Sequence, residues 1–252
     1  MQKKLNLKNI ELKTYCGSEL FEVQDVSKEK TNGKIKNYDY PFNIEFKIRR
    51  KYVFNKYKKK AFNGSGIYLI TYNKEIIYIG KYMPYNHGNV INDRWIKHIA
   101  TMTNRGHRVC GFGKKNKKYE FLEKIGFLVE KGRMEGGDYS TSVKRLEFAS
   151  KNWCTFKDEK IEIFRENVLP KFEFHYMQLN EFSKKKITEL LGEKNPKIKE
   201  YYENLASLVE TYLLWKYNPA CNSNEGLNEI NDKTVDEIKT EIKSFLEKLD
   251  LS

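Results

Sequence analysis

Two short runs of apolar, β-branched and aromatic residues are the clearest structural pattern in the chain. Residues 66–72 (GIYLITY) form the first run, and residues 75–80 (EIIYIG) form the second. Only Asn73 and Lys74 lie between them, and a connection of two residues is typical of a β-hairpin. The pattern therefore predicts two antiparallel strands joined at Asn73-Lys74.

Further strands and helices are predicted on both sides of this hairpin. Apolar and polar residues alternate over residues 42–48 and near 171–179, which predicts a strand in each segment. Helical spacing and capping residues predict helices over 92–103, from 183, over 197–217 and after Asp232. The apolar faces consist of Trp95, Ile99 and Met102 in the first of these helices, and of Val235, Ile238, Ile242, Phe245 and Leu249 in the last.

Together these elements predict an α+β fold with a small antiparallel β-sheet, made of the hairpin and a third strand, flanked by helices. The 252 residues and 39% hydrophobic content allow one sizeable domain with additions, or two small domains. Apolar runs stay below the roughly 18 residues of a membrane span, and the N-terminus lacks the apolar core of a signal peptide. We therefore expect a cytoplasmic protein without a membrane partner.

Positive charge is concentrated in two segments. The chain has 47 Lys and Arg against 34 Asp and Glu, and a net charge of +13 attracts polyanions. Residues 47–60 contain eight basic residues among aromatic ones, and residues 105–118 contain six Lys or Arg; neither segment contains an acidic residue. Each is explained equally well as a phosphate-binding segment or as a solvated surface. The candidate DNA-binding residues are Arg49, Arg50 and Lys51 in the first segment and Arg105, Arg108, Lys114 and Lys115 in the second.

Polar residues suited to phosphate chemistry follow the hairpin. Tyr68 and Tyr78 are expected to share one face of it, because strand side chains alternate with period two; simple cross-strand packing is the alternative. Arg94 and His98, spaced i, i+4 on the next helix, point the same way. They also fit an ordinary solvated face.

Two later residues complete this set. Glu210 interrupts an apolar line on the predicted helix 197–217, where a carboxylate is costly to bury unless it is paired or binds a cation. It could also reach water at the edge of that face. Asn222 follows Pro219 and is either a turn residue or a hydrogen-bonding anchor.

The order of these residues resembles that of the GIY-YIG nuclease superfamily, and is most like its Type II restriction endonucleases. The two tripeptides that name the family stand unaltered at 66–68 and 78–80. The family's helical Arg and His match Arg94 and His98, and its later Glu and Asn match Glu210 and Asn222. The resemblance covers residues 64 to about 224.

The resemblance implies three parts of the chain. Residues 1–62 would be a basic extension that contacts DNA, 63–224 the nuclease core, and 225–252 a C-terminal amphipathic helix. The segment between Arg94 and Glu210 is longer than the compact family core requires, so an insertion is expected within about 105–180. If this insertion shifts the match, Glu203 and Glu200 are the nearest alternatives to Glu210.

The resemblance also implies metal-dependent hydrolysis of DNA phosphodiester bonds. Glu210 would hold one Mg²⁺ or Mn²⁺ ion per active site against the scissile phosphate. Tyr68 would be the general base, which requires surrounding cations to lower its pKa from about 10. Tyr78 would assist it or orient the attacking water.

The remaining residues would bind and orient. Arg94 would bind phosphate oxygens with its planar fork, and His98 would either relay a proton from Tyr68 or contact the phosphate. Asn222 would brace the site by hydrogen bonds. Lys81, directly after the second tripeptide, would bind phosphate or orient water.

The arrangement of the chain favours a restriction or anti-phage enzyme that cuts duplex DNA at specific sites. A homing enzyme of the family would have a long linker to a DNA-reading module, and a repair nicking enzyme would have additional domains. Cutting both strands implies a homodimer or successive nicking, and restriction implies a cognate DNA methyltransferase acting on the same site. A non-cleaving nucleic-acid-binding protein is the alternative from another class.

Overall fold

The computed structural model describes residues 11–25, 46–51, 62–84, 88–103, 110–111, 139–140, 142–156, 160–179, 205–223, 226–230 and 232–250. The strands in these ranges are β1 (Leu12–Cys16), β2 (Phe21–Asp25), β3 (Phe46–Arg50), β4 (Gly66–Tyr72), β5 (Glu75–Tyr82), β6 (Cys110–Gly111), β7 (Tyr139–Ser140), β8 (Phe172–Gln178), β9 (Tyr217–Asn218) and β10 (Asn228–Glu229). The α-helices are α1 (Gly17–Leu20), α2 (Ile96–Thr103, preceded by a π-helical turn at Ile91–Trp95), α3 (Val143–Lys151), α4 (Trp153–Phe156), α5 (Ile161–Ile163), α6 (Leu205–Lys216) and α7 (Val235–Asp250). A second π-helical turn (Phe164–Val168) and a 3₁₀ turn (Leu169–Lys171) lead into β8.

The main sheet has four antiparallel strands in the order β1-β8-β4-β5. This confirms the α+β class, the hairpin and the third strand, which is β8. The fourth strand, β1, comes from the N-terminal segment, where no pattern predicted it. β2 and β3 pair in a separate sheet, and β3 overlaps the strand predicted over 42–48, whose residues 42–45 lie outside the described ranges.

The hairpin turns at the two predicted residues. Asn73 and Lys74 have φ values of 50° and 70°. Positive φ at both central residues is typical of a type I′ turn, whose twist matches that of the flanking strands. The local sequence therefore determines where the hairpin reverses.

Helices cover both faces of the main sheet, so the central strand β4 is buried along its whole length. Tyr68, Ile70 and Tyr72 of β4 belong to one core cluster, which includes Trp95, Ile99 and Phe148. Ile67 and Leu69 belong to the cluster on the opposite face, which is completed by α6 and α7 through Val209, Leu213, Ile238, Ile242 and Leu246. Burial on both faces explains why residues 66–72 are apolar without alternation.

The boundaries of the last helices differ from the prediction. α7 is capped by Thr234, two residues after Asp232: the Thr234 hydroxyl accepts from the Glu237 N–H, and the Glu237 carboxylate accepts from the Thr234 N–H. This reciprocal capping box satisfies two backbone N–H groups, whereas a single capping Asp would satisfy one. α6 ends at Lys216, one residue earlier than predicted, because Tyr217 pairs as a strand residue in β9. The helix predicted from 183, and residues 197–204, lie outside the described ranges.

The helix after the hairpin begins earlier than predicted. Residues 91–95 form a π-helical turn, so Asn92 lies inside the helix instead of capping it. Its N–H donates to the side chain of Asn89 at 3.0 Å. Among the helices that the structure describes, none combines the length and the apolar character that crossing a membrane would require.

His175 makes the stability of this fold sensitive to acid. It is buried between Thr14 and Thr71, and burial lowers its pKa from 6.5 to about 4, an effect that Asp236 partly opposes. Between these two pH values the unfolded chain binds a proton that the folded chain does not. The contribution of His175 to the free energy of unfolding is therefore fully present above pH 6.5 and is lost as the pH falls towards 4. The difference between the pKa values of His175 in the unfolded and folded chains corresponds to about 3 kcal/mol in the free energy of unfolding.

We expect His175→Gln to reduce the proton uptake on unfolding at pH 5 by about one proton. Urea denaturation of both proteins at several pH values between 4 and 7.5 measures this. An unchanged pH dependence in the variant would show that His175 is not the group responsible.

Candidate active site

Tyr68 and Tyr78 form a stacked pair on one face of the hairpin. Their ring centres are 5.9 Å apart and their planes differ by 24°. Tyr68 is 2% exposed, whereas Tyr78 is only partly buried. The prediction that both tyrosines share a face agrees with this geometry.

A β-bulge in β5 is responsible for this shared face. Tyr72 pairs with Glu75 and Thr71 with Ile76, but Ile70 pairs with Tyr78, so Ile77 is an extra residue. Without the bulge, strict alternation from the turn would place Tyr78 on the opposite face from Tyr68. Regular alternation along both strands would therefore not bring the two tyrosines to the same face.

Gly80 leaves the space that the tyrosine rings occupy. A Cβ atom at this position would lie 2.6 Å from Tyr68 Cζ, 2.7 Å from the Tyr68 hydroxyl and 2.7 Å from Tyr78 Cε1. Gly66 is equally restricted, since its Cβ would lie 2.3 Å from the carbonyl oxygen of Met177 in β8. Both tripeptide glycines are thus explained by close packing at the hairpin.

The helix after the hairpin brings His98 and Arg94 to the tyrosines. The Tyr68 hydroxyl and His98 Nε2 are 2.7 Å apart and form a buried hydrogen bond. The His98 ring centre lies 4.4 Å from that of Tyr78. Arg94 is exposed, and its charge acts on both Tyr68 and His98. These four predicted residues therefore form one cluster.

The electrostatics of this cluster contradict the expected pKa of Tyr68. Burial, followed by the neighbouring Tyr78, raises the pKa of Tyr68 well above 10, and the charge of Arg94 only partly opposes this. The expectation that the basic surroundings lower it is therefore wrong, because loss of solvent outweighs them. Burial, Arg145, Arg94 and Lys97 all lower the pKa of His98. At neutral pH the pair consists of a phenol and an uncharged imidazole.

Glu210 lies on α6 at the open edge of β5. Its Oε1 atom accepts a hydrogen bond of 3.0 Å from the Lys81 backbone N–H, and its Oε2 atom lies 3.3 Å from Lys81 Nζ. The side chain is 18% exposed, so it reaches solvent from a mostly buried position. Lys81, a predicted phosphate-binding residue, is therefore the partner of the predicted metal ligand.

Glu210 could supply only part of a cation's coordination. Within the described ranges, no group of three or more His, Cys, Asp or Glu side chains could hold a metal ion. Mg²⁺ commonly binds one or two carboxylates and completes its shell with water and substrate phosphate. A solvent-accessible single carboxylate beside a cationic cluster fits such an ion, provided that a phosphate is bound with it.

Asn222 and its neighbour bind the edge of the same strand. The Asn222 side-chain oxygen accepts from the Ile79 N–H at 2.9 Å, and its amide donates to the Ile79 carbonyl at 2.8 Å. The Cys221 N–H donates to the carbonyl of the bulge residue Ile77 at 2.8 Å. Together with Glu210 at Lys81, these bonds satisfy alternate residues along the edge of β5. Asn222 has the bracing contacts that the sequence predicted for it.

We expect Asn222→Ala to lower the free energy of unfolding by about 2–4 kcal/mol, because it leaves a buried backbone N–H and carbonyl without partners. Asn228→Ala is the matched control: its amide donates to the Lys216 carbonyl at an exposed position, and its loss should cost below about 1 kcal/mol. Urea denaturation measures both. Equal effects would contradict the bracing role.

The predicted DNA-binding residues are only partly described. Arg49 and Arg50 are the last residues of β3, and Lys51 follows them. The charge of Asp93 acts on Arg50, so this strand end lies near the turn that contains Arg94. Arg105, Arg108, Lys114 and Lys115 lie outside the described residues.

One residue of the site was missed by sequence reasoning. Arg145, on α3 within the expected insertion, places its guanidinium carbon 5.1 Å from the centre of the Tyr78 ring. Residues 105–170 gave no regular pattern, and nothing local distinguishes Arg145 from other basic residues. Only the packing of α3 brings it to the tyrosines.

Comparison of the chain with protein-family models, curated proteins and solved structures gave no match.

Proposed function

We propose that this protein is a metal-dependent DNA endonuclease of the GIY-YIG type that hydrolyses phosphodiester bonds. The observation that supports it most is the cluster in which Tyr68 binds His98 and stacks on Tyr78, beside the exposed Arg94. The six residues of the sequence motif converge on one hairpin although they span 155 positions, from 68 to 222. Cross-strand packing alone would not require the arginine, the histidine and the carboxylate.

In the proposed reaction, water attacks the phosphorus atom and the 3′ oxygen departs. Tyr68 takes a proton from the water while its own hydroxyl proton passes to His98 Nε2, so no free phenolate forms. The raised pKa of Tyr68 is compatible with this relay, because the proton is finally held by His98. Burial lowers the pKa of His98 most, and the charges of Arg145, Arg94 and Lys97 lower it further; a bound phosphate would offset these charges.

The remaining residues stabilise charge and hold geometry. Arg94 donates to nonbridging phosphate oxygens, whose charge increases in the transition state. Glu210 would hold the single Mg²⁺ or Mn²⁺ ion, which would supply Lewis-acid stabilisation of the charge that develops in the transition state. Lys81, whose ammonium lies 3.3 Å from the Glu210 carboxylate, would contact a phosphate of the bound DNA. Asn222 keeps β5 in position through Ile79.

Among enzymes of this type, we propose a restriction or anti-phage role against duplex DNA. Its support is the chain order, with additions before, within and after the core. The N-terminal addition contributes β1 to the main sheet, and the expected insertion contributes α3 to the site. A homodimer and a methyltransferase partner belong to the same proposal, as does a cytoplasmic location.

Incubation of supercoiled plasmid and of modified phage DNA with the protein tests the proposal. We expect cleavage in Mg²⁺ or Mn²⁺ and none in EDTA. Discrete fragments would support site-specific restriction, whereas accumulation of open circles would support a nicking enzyme. Cation-independent binding without cleavage on either DNA would overturn the nuclease proposal and favour a non-cleaving binding protein.

A further inference from the structure

Arg145 approaches the tyrosine pair from outside the motif. Its Cζ atom lies 5.1 Å from the centre of the Tyr78 ring, within cation–π range. Its Nη1 atom lies 3.5 Å from the Thr101 hydroxyl, at the outer limit of a hydrogen bond. After burial, the charge of Arg145 lowers the pKa of His98 most, ahead of Arg94. Arg145 therefore lies beside the same rings as Arg94.

The guanidinium of Arg145 has unused hydrogen-bonding capacity. Its Nε atom is buried and has no hydrogen-bond partner. The described residues include no carboxylate in an ion pair with it. A buried donor without an acceptor costs about 1–3 kcal/mol, so its retention needs a reason. His98 Nδ1, in the same cluster, is also buried without a partner.

The charge balance of the cluster shows what kind of ligand the half-buried guanidinium of Arg145 would bind. Two cations, Arg94 and Arg145, act on the tyrosine pair and His98, whereas Lys81 on β5 is already paired with Glu210. A site with an excess of positive charge, and with a guanidinium that has no carboxylate partner among the described residues, favours an anion with several acceptor oxygens. Phosphate groups of the DNA backbone are such anions.

We propose that Arg145 is a second phosphate-binding arginine of the site, donating to a DNA phosphate that faces the Tyr68–Tyr78 pair. This inference rests on the proposed function and extends it: the insertion supplies a residue that touches the substrate. Arg94 binds from the π-helical turn before α2 and Arg145 binds from α3, so two separate segments hold the phosphate. The same contact offsets a charge that depresses the basicity of His98.

Two variants of Arg145 and one matched control test the proposal. Arg145→Met keeps the aliphatic part of the side chain but removes the charge and the N–H donors. Arg145→Lys keeps the charge but removes the planar guanidinium. Lys151→Met makes the same loss of charge at an exposed position on the same helix. The measurements are single-turnover cleavage in Mg²⁺ and the salt dependence of duplex DNA binding in Ca²⁺.

We expect Arg145→Met to slow cleavage about 100-fold and to reduce the slope of log affinity against log salt by about one. Arg145→Lys should retain the slope and recover part of the rate. Lys151→Met should behave like the wild type in both measurements. Thermal melting establishes whether each variant is folded. If Arg145→Met does not fold, the partial loss of cleavage rate expected for Arg145→Lys tests the proposal.

The outcomes separate this inference from the nuclease proposal. If the wild type cleaves DNA and Arg145→Met has the same cleavage rate or the same salt slope, the phosphate-binding role of Arg145 is overturned. The nuclease proposal is then retained. A wild type that never cleaves, but whose salt slope depends on Arg145, would overturn the nuclease and retain the phosphate site. A slope that is the same in all variants of a non-cleaving protein would overturn both.

Discussion

Glu210→Gln is expected to reduce Mg²⁺-dependent DNA cleavage by about 10³-fold or more, which corresponds to about 4 kcal/mol of transition-state stabilisation. Glutamine keeps an oxygen that accepts from the Lys81 N–H but loses the charge that would bind the cation. The fold should persist, because Lys81 is 37% exposed and such an ion pair contributes about 0–1 kcal/mol. Single-turnover cleavage, and calorimetric Mn²⁺ binding to the protein in complex with a noncleavable phosphorothioate duplex, measure the two losses.

Glu247→Gln provides the control, since it removes one carboxylate at an exposed position of α7. It should cleave and bind Mn²⁺ like the wild type. Cleavage that persists in Glu210→Gln would refute the metal assignment. Loss of cleavage with intact Mn²⁺ binding would instead assign Glu210 to positioning Lys81.

Tyr68→Phe is expected to slow cleavage by about 10²–10⁴-fold, the usual contribution of a positioned proton-transfer group. The change removes the hydroxyl that bonds His98 and leaves the ring stacked on Tyr78. Its cost to folding should be about 1–3 kcal/mol, because His98 Nε2 stays buried without its partner. The rate measured across pH separates a chemical role from a structural one.

The matched control for this variant is Tyr72→Phe, on the same strand and face. The Tyr72 hydroxyl interacts with Thr155, so its loss should have a comparable effect on stability. It should leave the cleavage rate unchanged within about threefold, well below the effect expected for a proton-transfer group. Wild-type rates in Tyr68→Phe would remove Tyr68 from the proposed relay, whereas equal rate losses in both variants would point to general disruption of the sheet.

The fold class and the hairpin follow from local sequence. Continuous apolar runs at residues 66–72 and 75–80 favour strands, and Asn73 with Lys74 accepts the positive φ values of the turn. The strand at β8 follows from alternation in the same way. β1 could not be predicted, because it has a mixed burial pattern and is stabilised by pairing with β8, a partner about 160 residues away.

The composition of the candidate site was also accessible from sequence. The order of Tyr68, Tyr78, Arg94, His98 and Glu210, with Asn222 last, depends only on residue types and their spacing. The protonation behaviour of these residues could not be predicted from the sequence in the same way. Charge content suggested a low pKa for Tyr68, but burial is a property of packing and raises it.

The sequence by itself determined which residues are available and where the hairpin turns, because turn and strand preferences act between neighbours. Only the tertiary structure decided which of them meet. The bulge at Ile77 turns Tyr78 to the face of Tyr68, and the open edge of β5 binds Glu210 and Asn222 through its backbone. Arg145 joins them because α3 packs beside α2. Each contact joins distant segments, and local residue preferences contain no information about such pairing.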